Sequence, residues 1–363
     1  MAKNSNLGAA KAAKNDEFYT QYADIQKEVN AYLEYNPDTF RDKTVLLPCD
    51  DPEWSNFTRF FAQNFERLGL KRLISTSYAV ESKRYKGYYY PTLFEMESPC
   101  YDEDKTRIKG KIFELTHDTN QNGRIDIDDL EWSYLEGDGD FRSKEVCELL
   151  NQSDVVVTNP PFSLFIPFFQ WVIASGKSFL IIANKNCVTY KEVFPYIKNN
   201  KVWAGRTEWA GGMWFETKNN NDVDKIINGL PMKNVPSIWL TNMEHGRRHE
   251  QLKLMTMSDN LRYSKHLDLR KYGYIKYDNY DAIDVPYFDV IPSDYDGIMG
   301  IPSTFLDKYC PEQFEIIGIG TGNSAKELGI KKNYRGRSDL SFTHPETGKP
   351  SCPYSRILIR KKQ

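Results

Sequence analysis

Apolar runs alternate with segments of helical periodicity along the first half of the chain. Between Tyr22 and about Leu33, apolar side chains recur at Ile25, Val29, Tyr32 and Leu33, the spacing of one helix face, before Asn36-Pro37 punctuates the chain. KTVLLPC at 43–49 is a short apolar run ended by Pro48, Asn56 to Leu68 keeps helical spacing up to Gly69, and KRLISTSY follows at 71–78. This predicts a strand, helix, strand unit. Residues 79–145 are polar, tyrosine-rich and turn-rich and read as an elaborated crossover. DVVVTN at 154–159 then predicts a strand, Ser163–Ser175 an apolar helix closed by Gly176, and KSFLIIANKN at 177–186 a buried strand. Strands apolar on both faces and separated by helices predict an α/β fold built on a parallel sheet covered on both sides. Beyond about Lys201 the pattern weakens. Trp, Gly, Asn, Tyr and basic residues dominate, and SIWLT at 237–241 and FEIIGIG at 314–320 are scattered strand-like runs in a mixed α+β region.

Composition changes this picture little. A chain of 363 residues, 40% hydrophobic and 14% aromatic, can bury a substantial core. The first fifteen residues, rich in Ala, Lys and Asn, offer nothing to pack and read as a disordered tail. That N-terminus lacks the apolar core of a signal peptide, and the six cysteines form no CxxC pair and no dense disulfide spacing, so a reducing cytoplasm is expected. The longest apolar runs, such as FLIIA at 179–183, are far shorter than a bilayer span, so no membrane association is expected. The net charge of -2 conceals an uneven distribution: Lys331 to Gln363 holds nine Lys/Arg against two Asp/Glu. A polyanion partner and a solvated basic tail both fit that excess.

The chemistry concentrates where DVVVT ends in Asn159-Pro160-Pro161-Phe162. In an open parallel sheet, ligands lie beyond the carboxyl ends of the strands. Two prolines fix φ at successive positions and remove two N–H donors, so the turn offers acceptors in a stiff arrangement. The Asn159 side-chain carbonyl and the Pro160 backbone carbonyl match the two N–H groups of a planar exocyclic amine such as adenine N6, and the Phe162 ring can stack on the base. A conjugated amine is a poor nucleophile because its lone pair is delocalised. Acceptors that draw its hydrogens out of plane favour a tetrahedral nitrogen, complementary to the transition state. The plainer reading is an X-Pro-Pro turn that only ends a strand.

NPPF resembles the catalytic motif of amino-methyltransferases dependent on S-adenosylmethionine, and the chain is similar to adenine-specific DNA methylases of the EcoRI type. The likeness runs through DEFYTQ (16–21), LLPCDDPEWSNF (46–57), LEGDGDFRS (135–143), NPPFSLF (159–165), FLIIANKN (179–186), TYKEVFP (189–195) and GIMGIPSTFLDKY (297–309), in the expected order. It implies a Rossmann-like methyltransferase sheet over 16–200, with an insertion at about 79–145 and a target-recognition region over 201–363. It also implies a catalytic role for Asn159, Pro160, Pro161 and Phe162, S-adenosylmethionine as cofactor, and double-stranded DNA carrying a flipped-out adenine as substrate. Phe18, Tyr19 and Thr20 correspond to the element that contacts the methionine end of the cofactor, and Pro48, Cys49, Asp50 and Asp51 to the loop after the first strand. The glycine-rich turn of the wider superfamily is absent there. Asp138 and Asp140 match the loop in which a carboxylate accepts from the cofactor's adenine amine; a solvated turn is the alternative. A cognate restriction endonuclease is a possible companion, with no direct contact implied.

DTNQNGRIDIDDL at 118–130 fits an EF-hand loop, with Asp118, Asn120, Asn122, Asp126 and Asp129 at ligating positions and Gly123 at the turn. Structural calcium is one reading. An acidic turn-forming insertion is the other, because KGKIFELTH before it looks like a strand and Asp129 stands where Glu is usual. Two further functions share parts of the pattern: methyl transfer to RNA or to a protein glutamine, and a non-catalytic calcium-binding protein. The basic C-terminal region favours a large duplex, with Arg206, Arg247, Arg248, Arg262, Arg335 and Arg337 as candidates to reach phosphates or base edges.

Overall fold

A computed structural model describes residues 19–50, 55–79, 96, 98–207, 209, 211–217 and 223–362. Two compact units emerge, one drawn from 1–185 and 204–245, the other from 186–203 and 246–363. Among the described residues no helix is long and apolar enough to cross a membrane.

The first unit begins with β1 (Tyr19–Thr20) and α1 (Tyr22–Tyr35), followed by β2 (Thr44–Pro48), α2 (Asn56–Gln63), α3 (Phe65–Leu68) and β3 (Arg72–Thr76). Ser55 starts α2 by accepting from Phe57 N at 3.1 Å, and Gly69, at φ 64°, ends α3 in the left-handed conformation that spares it a Cβ clash. The crossover contains α4 (Glu103–Ile108), β4 (Lys111–Leu115), β5 (Glu131–Tyr134) and α5 (Lys144–Gln152); β6 (Val155–Thr158), α6 (Phe165–Ser175) and β7 (Ser178–Asn184) complete the run. Four more strands follow the short β8 (Trp203–Ala204), where the chain passes between units: β9 (Met213–Glu216), β10 (Lys225–Ile227), β11 (Leu230–Val235) and β12 (Ser237–Thr241).

The main sheet has the order β5-β4-β3-β2-β6-β7-β12-β8. Its centre, β3-β2-β6-β7, is parallel as predicted, but β4, β5 and β12 are antiparallel, so the sheet is mixed. SIWLT therefore adds to this sheet, pairing Trp239 with Ile182. An apolar run buried on both faces carries no signal of its direction. The alternation of side chains divides the core in two. Val45, Leu47, Val155, Val157, Leu180 and Ile182 pack with Ile25, Val29, Phe57, Phe60 and Phe61 of α1 and α2. On the other face Phe169 of α6 meets Phe179 edge-on, with Phe141 against Phe168. Truncating such a buried phenylalanine costs about 3–5 kcal/mol.

Glu28, fully buried on α1, accepts from Arg206 N at 2.6 Å and from Thr207 N at 2.7 Å. Gly205 is required beside it, since a Cβ there would stand 2.3 Å from Glu28 Oε1. A second sheet, β1-β9-β11-β10, pairs Thr20 with Phe215.

The 118–130 segment joins β4 to β5, two antiparallel strands, with no entering helix. Its polar side chains serve the turn itself. Asp118 accepts from Asn122 N and Gly123 N, Asn120 from Asn122 N, Asn122 from Arg124 N, and Asp126 from Asp128 N. Asp129 accepts from Thr119 N, Asn120 N and Asp126 N. Among the described residues no group of three or more His, Cys, Asp or Glu is disposed to hold a metal ion. Of the two readings of this segment, the acidic turn held by side-chain-to-backbone bonds is the one these contacts support, and calcium gains no support among the described residues.

The second unit holds α7 (Phe194–Lys198), α8 (Met257–Tyr263), α9 (Leu267–Tyr272) and α10 (Gly322–Glu327). Its sheet has the order β13-β14-β18-β15, formed by β13 (Ile283–Asp284), β14 (Met299–Pro302), β15 (Phe314–Ile319) and β18 (Arg356–Lys361), with a separate hairpin of β16 (Phe342–Thr343) and β17 (Pro350–Ser351). Arg356 Nε donates to Asp284 at 2.8 Å inside it.

Candidate active site

β2 lies between β3, to which the chain runs directly, and β6, which it reaches only after β5, so the strand order reverses at β2 and β6, the place where open α/β sheets have their ligand crevice. At the end of β2, Cys49 adopts φ 76°, a left-handed conformation that costs a residue with a Cβ and is sustained only by its surroundings. Desolvation, with the Asp50 and Asp140 carboxylates nearby, pushes its thiol pKa up and disfavours the thiolate.

The turn brings Asp50 back across the strand ends, where it is 6% exposed. Its Oδ1 accepts from Ser55 Oγ at 2.8 Å and its Oδ2 from Thr158 Oγ1 at 2.6 Å. The Thr158 hydroxyl is also 2.6 Å from Pro48 O. Ser75 Oγ of β3 donates to Asp50 O at 3.0 Å, so three strand ends share one buried network.

Asn159 follows Thr158, half-buried, with Pro160 buried behind it. Phe162–Leu164 form a 3₁₀ turn after Pro161, closed by Leu164 N donating to Pro161 O at 2.9 Å, and α6 begins at once. Phe162 is half-buried against the α1 and α2 side of the core.

Two other expected elements reach the same crevice. Thr20 O accepts from Asn56 Nδ2 at 2.8 Å, which ties β1 to the first turn of α2, and Thr20 Oγ1 is buried without a hydrogen-bond partner among the described residues. On the far side, Gly139 at φ 83° lies so close to β3 that a Cβ would stand 2.1 Å from Ser77 O. Asp138 O accepts from Ala79 N at 2.8 Å. The two carboxylates of this loop then part. Asp140 is held by Tyr78 and by Arg142, which draw its pKa well below the usual carboxylate range, the Arg142 contact first. Asp138 Oδ1 accepts from Asp140 N at 3.1 Å, and its Oδ2 takes no hydrogen bond from a described residue.

Thr20, Pro48, Cys49, Asp50, Asn159 and the 138–140 loop are therefore linked through Ser55, Asn56, Ser75 and Ser77. Phe18 and Asp51 lie outside the described residues, and Tyr19 is described in its backbone only. Sequence reasoning passed over Thr158, Ser55 and Arg142. Ser55 carried a signal, a serine just before a helical apolar pattern. Thr158 read as one more strand residue. Among the arginines proposed for DNA, Arg247 is buried and paired with Asp307 at 2.9 Å, and Arg248 lies over the Trp203 ring at 3.5 Å. Arg262, Arg335 and Arg337 are exposed.

The family of the adenine-specific methyltransferase EcoRI matches residues 6–362. The Type II methyltransferase M.EcoRI of Escherichia coli is 40% identical, covering 100% of this chain and 98% of its own. M.MpnI of Mycoplasma pneumoniae is 33% identical (98% and 97% covered), and M.MgeORF184P of Mycoplasma genitalium 32% (99% and 99%), both also Type II methyltransferases. No solved structure matches the chain. The chain belongs to the EcoRI family of adenine-specific methyltransferases.

Proposed function

We propose that the protein transfers a methyl group from S-adenosylmethionine to N6 of an adenine rotated out of duplex DNA, within a specific sequence. The observation that carries this reading is the stiff Asn159-Pro160-Pro161-Phe162 turn at the end of β6, on the crevice where parallel strands diverge. The names of the relatives, all Type II methyltransferases, agree with it.

The parallel centre of the sheet suits a Rossmann-like cofactor fold, and the crevice fits the donor in two places. The unpartnered hydroxyl of Thr20, with the 18–20 segment, suits the methionine end, and the uncommitted Asp138 oxygen suits the adenine amine. Pro48 and Cys49, at the end of β2, complete the donor's surroundings in this reading. When bound, the cofactor supplies an electrophilic methyl on a sulfonium. The protein's part is orientation. Asn159 Oδ1 and Pro160 O hold the two N–H groups of the target amine, which favours a tetrahedral nitrogen with its lone pair free, and Phe162 stacks on the base. As the N–C bond forms, the S–C bond breaks to leave a neutral thioether, and the surplus proton on the methylated nitrogen passes to water, so the attack itself requires no ionised base.

The first unit carries cofactor and chemistry; the second carries DNA recognition, through exposed basic residues such as those at 331–337. A cytoplasmic location follows, where DNA and cofactor meet. A restriction endonuclease of the same specificity would be the activity held in check, without direct contact. Methylation-sensitive sequencing of DNA from cells expressing the chain tests the reading. N6-methyladenine at one position of a recurring motif supports it; unmodified DNA, with methyl groups found instead in RNA or on protein glutamine, overturns it.

A further inference from the structure

We propose that Asp50 is a positioning residue for Asn159, and that its carboxylate does not contact the methyl donor. This rests on the reading of Asn159 as the group that holds the target amine. Both oxygens of Asp50 are engaged within the fold, Oδ1 by the Ser55 hydroxyl at 2.8 Å and Oδ2 by the Thr158 hydroxyl at 2.6 Å. Ser55 caps α2, and Thr158 immediately precedes Asn159.

The parallel pairing of β2 with β6 runs through Val45–Val155 and Leu46–Val156 and stops there. Beyond that point no ladder pairing fixes the end of β6 against the end of β2. The hydroxyl of Thr158 takes over, lying 2.6 Å from both Asp50 Oδ2 and Pro48 O and donating its one proton to either of these acceptors. Asp50 in turn is fixed from its own backbone by Ser75 Oγ at 3.0 Å, with Thr58 Oγ1 2.9 Å behind it. The bracket therefore refers the direction in which Asn159 leaves the sheet to β3 and α2, two elements that do not carry the reacting group. An acceptor must be placed to within a fraction of an ångström to act on a rehybridising amine, and misplacement of about 1 Å costs up to about hundredfold in rate.

The test uses full-length Thr158→Val, Thr158→Ser, Asp50→Ala, the double variant Asp50→Ala/Thr158→Val, and Asn159→Ala. Single-turnover methyl transfer to duplex DNA is measured beside calorimetric affinity for S-adenosylhomocysteine. Thr158→Val is isosteric and tests the bond without a cavity. It is expected to slow transfer by about ten- to hundredfold with cofactor affinity within about twofold, and Thr158→Ser to recover most of the rate. Asp50→Ala is expected to be slow as well, and the double variant no slower than the slower single one, because both remove the same bridge. A tenfold loss of cofactor affinity in Asp50→Ala alone, or multiplicative rate losses in the double variant, would overturn the inference. Fast transfer by Thr158→Val beside an inactive Asn159→Ala overturns it while leaving the Asn159 reading intact. An active Asn159→Ala overturns both.

Discussion

Tyr78 donates its hydroxyl to Asp140 Oδ2 across 2.5 Å while Arg142 grips the same carboxylate through Nε and a terminal nitrogen. This triangle closes the loop on β3's flank and leaves Asp138, two residues earlier, as the carboxylate with an oxygen to offer.

The two aspartates should accordingly fail differently. Asp138→Asn is expected to weaken cofactor affinity with little loss of stability. Asp140→Asn should cost about 1–2 kcal/mol of stability at neutral pH. Because Arg142 and Tyr78 depress the folded pKa of Asp140, its contribution is present above the unfolded value near 4 and fades as pH falls through the depressed one. Urea unfolding of both proteins from pH 7 to 3 checks this: the gap between wild type and Asp140→Asn narrows below about pH 4. A constant gap contradicts the assignment.

Gly139→Ala should be more damaging than its size suggests. The added Cβ meets the Ser77 carbonyl at 2.1 Å, and the residue must keep φ 83°. A loss of about 2–4 kcal/mol is expected, from left-handed strain together with overpacking. Thermal unfolding and calorimetry on one sample would show a lowered midpoint together with weakened cofactor binding. An unchanged midpoint would mean that the loop does not press on β3.

Phe162→Ala should weaken the complex with DNA by about 1–3 kcal/mol if the ring stacks on a base. The ring also packs on the core, so some stability is lost too. Titration with duplexes carrying 2-aminopurine at the target position separates the effects: less fluorescence change with cofactor affinity preserved is the expected outcome, and equal loss of both affinities argues against stacking.

Lys331, Lys332, Arg335 and Arg337 are all exposed on a turn ordered by Asn333, whose Oδ1 accepts from Arg335 N at 2.8 Å. Replacing all four by glutamine should weaken DNA binding and leave cofactor affinity alone. For phosphate contacts, the slope of log affinity against log salt falls by about one unit for each lost contact. DNA affinity and salt slope unchanged from wild type on every duplex, cognate or substituted, would make this turn a solvated surface.

Legibility followed periodicity. The helix of Tyr22–Tyr35 and the strands at 44–48, 155–158 and 178–184 could be read because their apolar spacing is regular and glycine or proline ends their neighbours. Strand direction could not: 237–241, buried throughout, and 111–115, which alternates, are strands whose antiparallel placement depends on partners far away in sequence. The position of Asn159 was legible because a strand end followed by two prolines is unusual. The Thr158–Asp50 bridge, spanning 108 residues, was not, since a threonine in a strand and an aspartate in a loop are each commonplace. The segment at 118–130 stayed open between two readings because calcium loops and side-chain-bonded turns use the same residues for the same reason, oxygen atoms at alternating positions.

Asn159→Ala offers the most direct measurement. Transfer of labelled methyl from S-adenosylmethionine to duplex DNA, with the modified nucleoside identified after digestion, is followed for wild type and variant alongside cofactor affinity. Wild type is expected to yield N6-methyladenine, and the variant to bind cofactor within about twofold of wild type while losing transfer by about a hundredfold or more. Near-wild-type transfer by Asn159→Ala would contradict the account.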